Sequence, residues 1–177
     1  MVLWLIIIVV GVAADQVTKY IISHTYEIGE SHELIKGVLN FTYIRNEGAA
    51  WGIFSNSRWV FIVITAIMLV ILPFVLYKYR KLHFLFGFSL SLIISGAIGN
   101  MIDRVFLGSV IDFIQAAFID FPIFNVADSC VTVGAVLMFV YLVFIDKTLF
   151  RSEKKSAPAA TADDAEVKNE NSGDENK

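Results

Sequence analysis

The stretch FLFGFSLSLIISGAIGNMI, residues 84–102, carries no formal charge. A helix needs about 20 residues of this kind to cross the hydrocarbon core of a bilayer. Three further segments read the same way. Trp59 to Tyr77 and Ser129 to Ile145 are charge-free, and Met1 to Ala14 continues to Ile22 with only Asp15 and Lys19 intervening. With 56% hydrophobic residues and a mean hydropathy of +0.67, an ordinary soluble domain is excluded. The expectation is an all-α membrane protein with four transmembrane helices at about 3–22, 59–77, 84–102 and 128–146, within a domain covering 1–150.

The first segment has an alternative reading as a cleaved signal peptide, because Val12-Ala13-Ala14 offers small residues at cleavage positions. Against it, no Lys or Arg precedes the apolar run, and three more spans follow. Basic residues set the topology. Lys78, Arg80, Lys81 and His83 crowd the link between the second and third spans, and Lys147, Arg151, Lys154 and Lys155 follow the fourth. The positive-inside rule therefore puts both termini in the cytoplasm and links 23–58 and 103–127 outside. From Ser152 the chain turns polar, acidic and low in complexity, which reads as a disordered cytoplasmic tail over 151–177. That tail supplies much of the net charge of −3, so the charge implies no nucleic-acid partner. Cys130 is the single cysteine, which excludes an internal disulfide or a CxxC pair. His24, His32 and His83 fall in links and show no metal-ligand spacing. No P-loop or GxGxxG is present.

Polar side chains in hydrocarbon need partners, so their positions carry information. Asp15 and Lys19 are four apart on one helical face, as an interfacial ion pair or as the buttress of a site. In the third span Ser91, Ser95 and Gly99 form a small-residue stripe suited to close helix packing. Asn100, Asp103 and Arg104 end that span, spaced so that Asn100 meets both of the others, as a capping cluster or a catalytic support. Asp112 lies between Ile111 and Phe113, and AAFIDFPIF after it is apolar enough to lie on the bilayer. Asn125 and Asp128 share a face as the fourth helix begins, just after a break favoured by Pro122. Asp128 reads either as a cap at the water line or as chemistry.

Asp15, Asn46, Asn100, Arg104, Asp112, Asn125 and Asp128 all fall at the extracytoplasmic ends of spans or in the outer links. A site at the outer membrane surface is the simplest account. Two aspartates in a partly dry pocket share one proton and titrate as a unit. One can then take a proton from water while the other donates to a carbonyl oxygen, which is peptide hydrolysis without an acyl-enzyme. Proton-coupled transport uses similar residues but spreads them through the membrane depth. A non-catalytic scaffold would use them only to join helices.

Four motifs carry a resemblance: DQVTKY at 15–20, YIRNEGAAWGIF at 43–54, GNMIDRVFLGSVIDFI at 99–114 and FNVADSCVTVG at 124–134. Together, in this order, the chain resembles the lipoprotein signal peptidases (signal peptidase II). The resemblance implies Asp112 and Asp128 as the catalytic pair. It implies Asp15, Lys19, Asn46, Gly48, Asn100, Arg104 and Asn125 as supporting or substrate-binding residues, with no metal and no cofactor. It also implies a small extracytoplasmic β-sheet, for which LIKGVLNFTYIR at 34–45 has suitable residues, and a short surface helix. The connection between the two aspartates, FIQAAFIDFPIFNVA, looks short, which trims the flap over the site. The implied substrates are diacylglyceryl-modified prolipoproteins, cut just before the lipidated cysteine. Membrane lipids and cyclic-peptide inhibitors of the globomycin type are further implied partners. The implied location is the bacterial inner membrane, with the site at the extracytoplasmic leaflet.

Overall fold

The computed structural model describes residues 1–48, 58–81 and 83–146. The acidic tail, the basic residues from Lys147 onward, the boundary at 150 and the AAWGIF portion of the second motif lie outside the described residues. The elements run α1 (Val2–Thr25), β1 (Ser31–Ile35), β2 (Leu39–Asn46), α2 (Arg58–Lys78), α3 (Phe84–Phe106), β3 (Val110–Ala116) and α4 (Val126–Val140). A π-helical turn, Tyr141–Ile145, extends α4. Among the described residues, four helical spans are long and apolar enough to cross a membrane, the fourth counted through Ile145. α1 and α3 run past their charge-free cores, so Asp15, Lys19, Asn100, Asp103 and Arg104 are all helical. No short surface helix stands among the described residues of the links.

α3 is the centre of the bundle. Its span is 56% buried within the protein, against 6% for α2, whose apolar surface is left for lipid. The reason lies in its small residues, which let two helices approach on different sides. On one side Gly99 faces α1, where a Cβ would stand 2.5 Å from Oδ2 of Asp15. On another side Gly96 lies against the carbonyl oxygen of Ala127 in α4, leaving no space for a Cβ. Ser91 and Ser95 are buried in the same helix and return their hydroxyls to its own carbonyls, so they add no unpaired donors.

The three strands form an antiparallel sheet in the order β1-β2-β3. The 34–45 segment supplies parts of two strands, turning between Ile35 and Leu39. The third strand comes from the link after α3. Its register pairs Ile44 with Asp112 and Asn46 with Val110, which sets Asn46 beside Asp112. The apolar core is divided in two. Trp4, Leu76, Phe86, Leu90, Ile94 and Tyr141 close the end that carries the 78–83 link. Ile22, Tyr43, Ile111 and Phe113 pack the sheet onto α1 at the other end. A polar layer lies on the sheet side of the bundle.

Candidate active site

Asp112 lies mid-strand in β3 between the buried Ile111 and Phe113, and is itself only 2% exposed. Asp128 lies on the first turn of α4, where Asn125 is the N-cap. The two form a capping box. Oδ1 of Asn125 accepts the Asp128 N–H at 2.9 Å, and Oδ2 of Asp128 accepts the Asn125 N–H at 3.2 Å. Such a box satisfies two of the orphan donors at a helix start. Asp128 is thus a cap as well as a member of the cluster that follows.

Three side-chain amides surround the carboxylates, and each has its oxygen already engaged. Asn46 Oδ1 accepts the Gly48 N–H at 3.0 Å, so its NH2 faces Oδ2 of Asp112 at 2.9 Å. Asn125 Oδ1 is held by the cap, so its NH2 faces Oδ1 of Asp112 at 2.6 Å. Asn100 Oδ1 accepts from Lys19 Nζ at 3.0 Å, so its NH2 faces Oδ1 of Asp128 at 2.7 Å. A lysine ammonium only donates, so reversing Asn100 would set donor against donor and oxygen against carboxylate. Every oxygen of the two carboxylates therefore accepts one donor. The sequence expectation that Asn100 pairs with its neighbours Asp103 and Arg104 gives way to bonds reaching α1 and α4.

Asp112 and Asp128 share one cavity of about 570 Å³. Asn46, Gly48, Asn100 and Arg104 also line its polar side, while Phe121 to Phe124 and Thr132 and Val133 line the rest. Arg104 donates to the Gly48 carbonyl at 3.5 Å and stacks its guanidinium 5.0 Å over the Phe61 ring. Burial, and then the neighbouring Asp128 carboxylate, push Asp112 up to about 7, against the pull of the Asn46 and Asn125 hydrogen bonds and of Lys19. A carboxyl of that acidity holds or releases a proton at neutral pH. Among the described residues, no three His, Cys, Asp or Glu side chains converge as a cation site would require.

Asp15 and Lys19 do not line the cavity but lie behind it, 0% and 2% exposed. Lys19 Nζ bonds Oδ2 of Asp15 and Oδ2 of Asp103, both at 2.9 Å. With Asn100 as the third acceptor, its donors are saturated. All nine sequence-selected residues thus converge in two layers, with Asp15 and Lys19 in the second. Two further residues of that second layer, Asp103 and Gln16, stand outside those nine: the sequence offers Asp103 only within the Asn100–Arg104 cluster, as cap or catalytic support, and Gln16 only within DQVTKY. The available signal for Asp103 was charge, since another carboxylate in an apolar helix requires a cation.

The family model described as Signal peptidase (SPase) II matches residues 7–144. The chain is 43% identical over 146 residues to a lipoprotein signal peptidase of Lactobacillus gasseri, covering 82% of this chain and 95% of the relative. It is 47% identical over 137 residues to one of Listeria monocytogenes, covering 76% and 88%. A bacterial membrane enzyme structure solved by the in meso method at 2.3 Å resolution has a TM-score of 0.79 and 42% identity, covering 89% of this chain and 96% of its own. Sequence and backbone agree over nearly the whole described chain, and this membrane protein belongs to the signal peptidase II family of peptidases.

Proposed function

We propose that this peptidase removes signal peptides from diacylglyceryl-modified prolipoproteins, with Asp112 and Asp128 activating the attacking water directly. The observation that carries this reading is the shared cavity, in which two carboxylates from β3 and α4 each accept two hydrogen bonds. Asp112, raised to about 7, is assigned the shared proton at neutral pH. Asp128 takes a proton from water as the water oxygen bonds to the scissile carbonyl carbon. Asp112 gives its proton to the carbonyl oxygen. The tetrahedral diol then collapses: one hydroxyl returns a proton to Asp112 as the C–N bond breaks, and the leaving nitrogen takes a proton from Asp128. Asn46, Asn100 and Asn125 hold the carboxylates still through these transfers, which lowers the reorganisation needed at the moment of reaction.

The inner membrane is the assigned site, with the sheet end outward and residues 78–83 cytoplasmic. The substrate's acyl chains then remain in lipid while its amide reaches the cavity near the water line, where water is available. The deciding experiment uses the full chain in lipid and a diacylglyceryl-modified lipobox peptide. Asp112→Asn and Asp128→Asn should each lower kcat by about 10³-fold or more while the protein stays folded. Near wild-type turnover by either variant would remove the dyad assignment.

A further inference from the structure

Behind the dyad stands a second pair of carboxylates, Asp15 and Asp103, each holding the backbone one residue before a dyad aspartate. Oδ1 of Asp15 accepts the N–H of Ala127 at 2.9 Å, and Ala127 precedes Asp128. Oδ2 of Asp103 accepts the N–H of Ile111 at 3.1 Å, and Ile111 precedes Asp112. Left alone, two buried carboxylates repel. Here two side chains tie them together. Lys19 bridges their Oδ2 atoms. Gln16 Nε2 bridges Oδ2 of Asp15 and Oδ1 of Asp103, both at 3.1 Å, and also reaches the Gly99 carbonyl at 3.2 Å. α3 therefore anchors the tie, while α4 and β3 hang from its two ends.

We propose that Gln16 and Asp103 are positioning residues: with Asp15 and Lys19 they form a brace that fixes the separation of Asp112 and Asp128 through the backbone preceding each. The inference rests on the dyad reading above. A proton shared between two carboxylates depends on their spacing, and so does the water held between them. Neither Gln16 nor Asp103 lines the cavity, so neither is placed to touch substrate. Lys19 serves twice, since the same ammonium ties the brace and orients Asn100 toward Asp128. Gln16 serves the brace alone, which makes it the clean position to test.

Gln16→Met keeps the volume and removes the bridging donors. The two second-layer carboxylates then relax apart, carrying Ala127 and Ile111 with them. kcat should fall by about 10-fold to 10²-fold, as for a displacement of up to an ångström, while KM changes little. A wider dyad is more weakly coupled, so its two apparent pKa values approach each other and the bell-shaped kcat profile narrows. The other charged groups near the dyad, Asp15 and Lys19 on α1 and Asp103 and Arg104 on α3, are unchanged in this variant. An unchanged kcat, or a lowered kcat with both limbs in place, would overturn the brace. If the methionine variant does not fold, Gln16→Asn, which keeps the amide but shortens its reach, faces the same two outcomes. Asp112→Asn and Asp128→Asn run alongside. If they stay active the dyad reading fails, whereas inactive aspartate variants with an indifferent Gln16→Met remove the brace alone.

Discussion

Asp112 occupies a strand position whose neighbours are both buried, and desolvation raises its pKa to about 7. In the proposed reaction the alkaline limb of kcat marks loss of the pair's last proton. Asn46 donates to Asp112 and pulls its value down. Asn46→Leu should therefore move the alkaline limb to higher pH, and a limb that stays or moves toward acid would contradict this role. Stability follows the same group with a defined sign. The folded chain keeps a proton that the unfolded chain releases above 3.8, so the contribution of Asp112 is full below that value and is lost as pH rises through about 7. At this scale the sequence was informative about residue type. Asp128 posed a choice between cap and chemistry, and the capping box shows that it caps α4 while facing the cavity. Gln16 was illegible because a neutral amide beside an aspartate on a helix has no charge to balance. Beyond Asp15, its partners come from α3, which only the fold brings back beside it.

Among the elements, the helices were readable from uninterrupted apolar length and the third strand was not. VIDFIQA in β3 is buried along its first four residues, so the alternation that marks a half-exposed strand is missing. The hairpin before it was visible because its β-branched and aromatic residues stand on a more open sheet. The packing of α3 onto α4 makes a separate prediction. Gly96→Ala would gain up to about 1 kcal/mol of helix propensity. It would also drive a methyl group into the Ala127 carbonyl, a backbone atom that cannot rotate aside, and overpacking costs about 1–3 kcal/mol. The clash wins, so the unfolding midpoint in detergent should fall. A raised midpoint would mean that α3 and α4 have room between them.

For the whole molecule, Lys78 at the end of α2 and Arg80 and Lys81 after it lie at the end opposite the sheet, and the positive-inside rule would put that end in the cytoplasm. What no linear pattern could give was convergence, because α1, the β2 end, α3, β3 and α4 each contribute one to three groups to the two polar layers. Orientation is checked with Lys36→Cys and Lys81→Cys, each in a Cys130→Ala background, both positions being exposed. A membrane-impermeant maleimide on intact cells should label the first, and the second only after lysis; the reverse pattern would invert the topology. The spacing of Asp15 and Lys19 also bears on how the chain is made. α1 emerges during synthesis long before α3 can supply Asp103 and Asn100, or α4 the Ala127 N–H. Because the two charges lie one turn apart in the same helix, the nascent segment carries its own counter-ion into hydrocarbon. It waits there without an isolated charge, and the bond that eases insertion later becomes one arm of the finished polar layer.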